Sequence, residues 1–392
     1  MGKRRNGEGS FGVKHVHGTE YQYYRDVSGK QIYARTMKEL KEKINAWRED
    51  EKDKERLKHN PDGTLTIGEF AESWLELKRL SIKPKTYEGY EFAISIVNNN
   101  KYRFGRRQIK TIERDHVQRF IDELADDYSR ETIQKTRMVL SQIYDEAVEK
   151  NLVNINIVKK TKVPSEENVV TKAKEIIILD KDDIDKLIKE ANTINGDGTH
   201  TPCGKIGTYR YGIGSRAIIF LLQTGVRTGE MLALSWDDVD LDKKQIMIRR
   251  NLTNVKNRDK NSDKRYVNHI GTPKTKKSKR IVPLTDLAID VLIYCKENSN
   301  SEYVFASKNG EPLNRRNLTR TLERMLNNAD CRVKRCGLHA LRHTFASRLI
   351  YNGVDIKVVS SLLGHDDIST TYNRYVHLIP NQDREAINMI NM

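Results

Sequence analysis

The chain has 392 residues, of which 37% are hydrophobic, enough for two or three packed domains but lean for one large core. Its 70 Lys and Arg outnumber its 54 Asp and Glu, so the formal net charge is +16. Such an excess favours a polyanionic partner, because each cation placed on a phosphate releases condensed counterions. A basic protein without a nucleic-acid partner is the alternative. The sequence has no apolar run of about 18 residues, the length that would predict a membrane span.

Cysteine usage and the N-terminus favour a cytoplasmic protein. The cysteines form no CxxC pair, so neither a zinc site nor another metal site is expected. They are Cys203, Cys295, Cys331 and Cys336. The basic N-terminus lacks the apolar stretch of a secretory signal. We therefore expect buried or incidental thiols in a reducing compartment.

Residues 1–60 predict a small β-sheet followed by a helix. The three expected strands and the helix are 12–17, 21–26, 31–34 and 36–56. Tyrosines alternate with basic residues in the strands, which favours a sheet laid on DNA with Arg25 and Arg35 at phosphates. An equal alternative to DNA binding is that these tyrosines only cover a small core.

Residues 64–156 predict a compact, all-helical domain. A capping-box pattern at 66–69 opens its first helix, whose apolar stripe includes Leu77. The second helix is expected near Thr86, with Pro84 as a stop signal before it. Two more helices are predicted at 114–126 and 129–150. The candidate phosphate contacts, each of which could equally be a plain surface charge, are Lys83, Lys85, Arg103, Arg106, Arg107 and Lys110.

The remaining chain predicts a linker and a large C-terminal domain. Residues 157–175 are basic and aperiodic, so we predict a flexible linker that lets two domains close around a duplex. Residues 176–392 mix helices with strands at 245–250 and 280–284. The polar stretch 251–271 between those strands is either a DNA- or protomer-contacting insertion or a floppy surface loop.

Two upstream motifs carry cationic chemistry. In GVRTGE, Arg227 lies on a turn leading into a helix, and Glu230 three positions on can hold its guanidinium in one orientation. A structural Arg–Glu pair is the plainer interpretation. In PKTKKSKRIVPL, a basic turn precedes a strand, and one lysine on such a turn can protonate a leaving oxygen. Lys274 is the first candidate and Lys276 the second, while the other lysines are solvated charges.

The last sixty or so residues hold a phosphate pocket with a nucleophile beside it. His339 and Arg342 share a helix face in LHALRHTFA, and His365 follows a glycine in SLLGHDD. Tyr375 lies ten positions after His365, and Tyr372 is its rival. Each residue alone would more often be structural. Together they suit attack by a tyrosine on a DNA phosphodiester.

These motifs resemble those of tyrosine recombinases of the phage-integrase family, particularly integrases of conjugative transposons. The resemblance covers nearly the whole chain. It implies a multidomain fold, mainly α with small β-sheets: an arm-type DNA-binding module, a helical core-binding domain and a mixed α+β catalytic domain. It further implies that Glu230 supports a set of catalytic residues. These are Arg227, Lys274, His339, Arg342, His365 and Tyr375.

The resemblance also implies partners and a reaction. A homo-tetramer would bind two double-stranded DNA attachment sites, and an excisionase or DNA-bending protein is a candidate accessory. The enzyme would be associated with the nucleoid and would need no cofactor. Strand exchange would pass through a 3′-phosphotyrosine and a Holliday junction, integrating or excising a mobile element. A type IB topoisomerase and a non-catalytic DNA-binding regulator are the alternatives. The DNA target sequence and crossover spacing do not follow from the sequence.

Overall fold

The structure is a computed structural model, and it describes residues 10–16, 19–26, 29–58, 65–172, 176–194, 210–259, 261–271 and 279–375. The chain divides into two compact units, 1–173 and 174–392. Within the described ranges, no helix is both long and apolar enough to cross a membrane.

The first unit begins with a three-stranded antiparallel sheet, as predicted. Its strands, in spatial order, are β1 (Ser10–Val16), β2 (Thr19–Arg25) and β3 (Gln31–Ala34). Helix α1 (Met37–Lys58) follows. Its Leu40 and Ile44 pack on Tyr24 and Ala34 of the sheet and form a small core of their own. Residues 27–28, between β2 and β3, lie outside the described residues.

Four helices form the rest of the first unit's core: α2 (Ile67–Lys78), α3 (Pro84–Val97), α4 (Arg114–Glu123) and α5 (Arg130–Glu149). The capping box is present, because Thr66 Oγ1 accepts from the Glu69 amide at 3.2 Å and Glu69 Oε2 accepts from the Thr66 amide at 3.0 Å. Two predictions were wrong. Helix α3 begins at Pro84 itself, since a missing amide proton is no loss in a first turn. Leu77 is exposed, and Leu75 is buried instead.

The predicted flexible linker is wrong for residues 157–172. They contain two short 3₁₀-helices, Ile157–Lys160 and Glu166–Asn168. Val158 and Val169 are buried in the core of the four helices. Arg137 of α5 donates to the Val158 carbonyl at 3.2 Å. Burial and hydrogen bonding fix this segment to the first unit, and residues 173–175 lie outside the described part of the chain.

The second unit is built around α7, most of whose residues are buried. Its elements, in chain order, are α6 (Lys181–Ala191), α7 (Ile213–Thr224), α8 (Thr228–Leu232), β4 (Val239–Asp240), β5 (Gln245–Ile248), β6 (Asn251–Lys256), β7 (Tyr266–Gly271), β8 (Arg280–Pro283), α9 (Asp286–Glu297), α10 (Arg315–Asn328), α11 (His339–Tyr351), α12 (Ile356–Leu363) and α13 (Ile368–Tyr375). Helices α6, α9, α10 and α11 pack around α7. This core holds the starts of α8 and α11 in place.

The described residues of the second unit form two small sheets. Strands β4, β5 and β8 form an antiparallel sheet in that order, and β6 pairs with β7. The stretch 251–271 is therefore a β-hairpin over its described residues, not a floppy loop. Its Leu252 and Val255 are buried. A Cβ at Gly229 would meet the Leu252 carbonyl at 2.5 Å, so α8 and β6 approach closely only because that residue is a glycine.

Candidate active site

A tight turn after α7 presents Arg227. Gly225 ends the helix with φ 62°, the left-handed conformation that glycine adopts most easily. A Cβ there would meet the Phe345 ring at 2.2 Å. Arg227 then caps α8, and its amide donates to Glu230 Oε2 at 2.9 Å. The turn therefore fixes both the backbone and the direction of this arginine.

Glu230 lies between two arginines. Arg227 Nη1 donates to its Oε1 at 2.8 Å, and Arg280 Nη2 donates to its Oε2 at 2.9 Å. The Glu230 and Arg280 side chains are buried, whereas that of Arg227 is 33% exposed. Burial raises the pKa of Glu230, but the hydrogen bond and charge of Arg280, with the charge of Arg227, outweigh it and hold the pKa below its ordinary value. The carboxylate is therefore ionised at neutral pH.

Three arginines meet at the C-terminal end of α12. Arg280 Nε donates to the Leu362 carbonyl at 2.7 Å, Arg342 Nη2 to Leu363 at 2.7 Å, and Arg227 Nη2 to Gly364 at 3.1 Å. The last carbonyls of a helix have no intrahelical partner and carry the negative end of its dipole. The end of α12 thus collects cationic side chains from three other elements.

Arg342 and His365 are joined directly. The buried Arg342 donates Nη2 to His365 Nε2 at 3.0 Å and Nη1 to the Gly225 carbonyl at 2.8 Å. An arginine can only donate, so His365 Nε2 is the acceptor and Nδ1 carries the proton. That proton points to Thr371 Oγ1, 2.7 Å away. Burial, then the charges of Arg342 and Arg227, lowers the pKa of His365 to about 4.

Tyr375 is buried. It packs in a small apolar cluster with Ala346, Ile350 and Val359. Its hydroxyl lies 2.6 Å from His343 Nδ1. Burial, then the charge of Arg374, lowers the pKa of His343 to about 4, so its imidazole is neutral. Burial also raises the pKa of Tyr375, so the phenol keeps its proton in this arrangement.

Other candidate residues fall in different places. His339 is exposed, with its ring 5.6 Å from that of His343. The rival Tyr372 is half-exposed on α13. Lys274 and Lys276 lie outside the described residues. In the first unit, Arg106 is half-buried and donates to Asn100 at 2.9 Å, whereas the seven other DNA-contact candidates are exposed. Those seven are Arg25, Arg35, Lys83, Lys85, Arg103, Arg107 and Lys110.

Two residues of this site were not found from the sequence. Arg280 directly follows the last lysine of PKTKKSKRIVPL, a motif whose chemistry was predicted to lie in a lysine. His343 follows Arg342 directly. Its position beside His339 and Arg342, the two predicted pocket residues of α11, is the sequence feature that could have identified it as part of the site. Cys295, Cys331 and Cys336 are buried away from solvent. Over the described ranges, no three His, Cys, Asp or Glu side chains are grouped to hold a metal ion.

The arrangement can bind an anion and orient it. Arg227 presents an exposed edge, and Arg342 and His365 are locked beside it by hydrogen bonds. Guanidinium groups stay charged and match the geometry of phosphate oxygens. A pocket with fixed donors needs no rearrangement as charge develops in a transition state.

Two kinds of comparison with known sequences agree on the family. Residues 178–382 match the model of the phage integrase family, and residues 66–125 match the phage integrase N-terminal SAM-like domain. A tyrosine recombinase XerC-like protein of Caldanaerobacter subterraneus subsp. tengcongensis is 31% identical, covering 94% of this chain and 93% of its own. The ICEBs1 integrase of Bacillus subtilis is 31% identical over 41% of this chain and 44% of its own.

Solved structures share the fold. The Tn1549 transposon integrase, in complex with a circular intermediate DNA, matches with a TM-score of 0.67 and 18% identity over 83% of this chain and 99% of that one. A lambda integrase tetramer bound to a Holliday junction matches with a TM-score of 0.52 and 18% identity over 91% of this chain and 96% of that one. The family match over more than half of the chain and the relative aligned along almost all of it show that the chain belongs to the phage integrase family of tyrosine recombinases, enzymes of site-specific recombination that cleave and rejoin DNA.

Proposed function

We propose that Tyr375 is the nucleophile of a recombinase that integrates and excises a mobile element. The supporting observation is that Arg227, Arg342 and His365 are joined around the end of α12, in the same unit as the only buried tyrosine among the candidates. The relatives named above include integrases of a transposon and of ICEBs1, which favours a mobile element as the substrate.

In the proposed reaction, Arg227 and Arg342 hold the non-bridging oxygens of the scissile phosphate. Tyr375 gives its proton to one of the pocket histidines, its Oη attacks phosphorus, and the bond to the 5′ oxygen breaks. Lys274 gives its proton to that oxygen as general acid, with Lys276 as the second candidate. A phenol has an ordinary pKa near ~10, so the two guanidinium groups are needed to lower the cost of forming phenolate beside the phosphate.

The product of that step is a 3′-phosphotyrosine, which keeps the energy of the phosphodiester. The freed 5′ hydroxyl of a partner strand can then attack it and rejoin DNA without another energy source. We propose that four copies act on two DNA sites through a Holliday junction, with residues 1–60 as an arm-type DNA-binding module and 64–156 as the core-binding domain. An excisionase or DNA-bending protein remains a proposed accessory, and the nucleoid the proposed location.

The test is trapping of a covalent adduct. Nicked duplexes tiled across the DNA that flanks the chain's own gene would serve as probes, because loss of a short fragment after cleavage prevents rejoining. The full-length chain should form a denaturant-resistant adduct on at least one tile. Tyr375→Phe should bind that tile and form none, whereas the matched control Tyr372→Phe should form it. An adduct that persists in Tyr375→Phe would move the nucleophile role to Tyr372.

A further inference from the structure

We propose that Arg280 is a positioning residue for DNA cleavage, one that holds Arg227 in its phosphate-binding orientation through Glu230. This role rests on the proposed function. Arg280 opens β8, and its side chain is only 7% exposed. Its Nε, Nη1 and Nη2 all donate to acceptors of the protein, so we expect its effect on the reaction to pass through the groups it contacts.

The contacts of Arg280 join three elements. Its Nη1 and Nη2 donate to both oxygens of Glu230, at 3.2 and 2.9 Å, in α8. Its Nε donates to the Leu362 carbonyl in α12 at 2.7 Å. A Cβ at Gly364 would meet the Arg280 guanidinium at 2.9–3.0 Å, so the group packs tightly on the residue that precedes His365. One side chain therefore ties β8 to both halves of the pocket.

Arg280 also determines how Arg227 can bind Glu230. Oε1 receives Arg227 Nη1 and Arg280 Nη1, while Oε2 receives Arg280 Nη2 and the Arg227 amide. With both oxygens engaged, Arg227 reaches the carboxylate through Nη1 and turns Nη2 to the Gly364 carbonyl at 3.1 Å. Without Arg280, both oxygens of the Glu230 carboxylate can accept from the Arg227 guanidinium. We expect Arg227 to rotate and bind them in the bidentate geometry that guanidinium and carboxylate prefer. That rotation would turn Arg227 away from a phosphate.

A lysine cannot replace this geometry. Lysine keeps the positive charge, but it has no planar fork to span both oxygens of Glu230 while also donating to Leu362. The cleavage rate of Arg280→Lys should therefore lie between those of the wild type and Arg280→Met. Since a displacement of about 1 Å in a catalytic group can cost about 100-fold in rate, we expect Arg280→Met to slow cleavage by about 100-fold.

The experiment is a double-mutant cycle on cleavage rate. Single-turnover adduct formation would be measured with the nicked duplexes tiled across the gene's flanking DNA, for Arg280→Met and Arg280→Lys, each alone and with Arg227→Ala. If Arg280 acts through Arg227, its replacement should slow the Arg227→Ala protein by less than about 3-fold, because the group it positions is already gone. DNA affinity should stay unchanged.

Arg249→Met is the matched control. Arg249, directly after β5, also pairs with a buried carboxylate, that of Asp238, and its hydrogen bonds within the described part of the chain go to Asp237 and Asp238. Its replacement should change the rate equally, and little, in both backgrounds. If Arg280→Met unfolds, as judged by circular dichroism, the cycle is read from Arg280→Lys.

Two results would overturn the role of Arg280. One is an unchanged rate in Arg280→Met. The other is an equal slowing with and without Arg227→Ala, which would mean that Arg280 acts independently of Arg227. Absence of an adduct with the wild-type chain on every tile would instead refute the proposed function, and the two failures are told apart by the wild-type lane.

Discussion

Glu230→Gln should destabilise the second unit strongly although it changes only one atom. The carboxylate is buried and accepts hydrogen bonds from Arg227 and Arg280. Glutamine has nearly the same shape but no charge, and its amide nitrogen would point donors at a guanidinium that has only donors. Two arginines would then lie within reach of each other with no anion between them.

The size of the loss follows from burial. Removing one partner of a buried ion pair typically costs about 3–5 kcal/mol, because the other partner is left charged and uncompensated. The Glu230 side chain is only 2% exposed, so solvent screens the Arg227–Glu230 pair little at the carboxylate. Arg227 is 33% exposed, so water can partly solvate its charge when the carboxylate is lost. We therefore expect about 3 kcal/mol, the lower end of that range. Whole domains have only about 5–15 kcal/mol of stability, so the effect is large.

Urea denaturation followed by circular dichroism would measure the loss. The matched control is Asp182→Asn, which makes the same chemical change in an exposed pair with Lys186 on α6. Exposed pairs contribute little to stability, so the control should keep the wild-type midpoint. If Glu230→Gln shifted the midpoint no further than Asp182→Asn, the carboxylate would not be the electrostatic centre of the site, and Arg280 could not position Arg227 through it.

Three further outcomes are expected. The pKa values of His343 and His365 are about 4 in the folded chain and near their ordinary value of 6.5 in the unfolded chain, so unfolding takes up protons between those pH values. The free energy of unfolding should therefore fall as the pH drops from about 6.5 to 4. It should fall less steeply when both histidines are replaced by glutamine. Gly225→Ala should lower the melting temperature, since a left-handed residue with a Cβ costs about 1–2 kcal/mol before the 2.2 Å clash is counted. His343→Leu should cost about 1–3 kcal/mol by leaving the buried Tyr375 hydroxyl unpaired, and less in Tyr375→Phe, as a denaturation cycle would show.

Local features of the fold could be predicted from the sequence. Thr66 and Glu69 form a capping box three residues apart, and the Arg227–Glu230 pair spans the same short distance. Such contacts depend on the geometry of a single helix turn, which residue spacing determines. Even so, Leu77 and Leu75 exchanged roles, because both lie near the edge of the apolar stripe of α2 and only the packing of neighbouring helices decides which is covered.

Long-range contacts could not be predicted in this way. Arg280 and Glu230 are fifty positions apart, and no periodicity links a strand residue to a helix start that it meets through folding. Burial of the segment 157–172 was missed for a similar reason. Its composition is that of a linker, but two valines are enough to attach it to a core that lies elsewhere in the sequence.

The two halves of the proposed reaction are prepared to different degrees. Arg342 already donates to two carbonyls and to His365, so the clamp requires little ordering when a phosphate arrives. Tyr375 is the opposite case, because its ring packs in an apolar cluster and its hydroxyl is hydrogen-bonded to His343, so we expect attack to require its release. Extracting a buried aromatic side chain costs about 1.5–3 kcal/mol, to which the lost hydrogen bond adds. We therefore expect DNA binding energy to be used for delivering the nucleophile rather than for assembling the clamp.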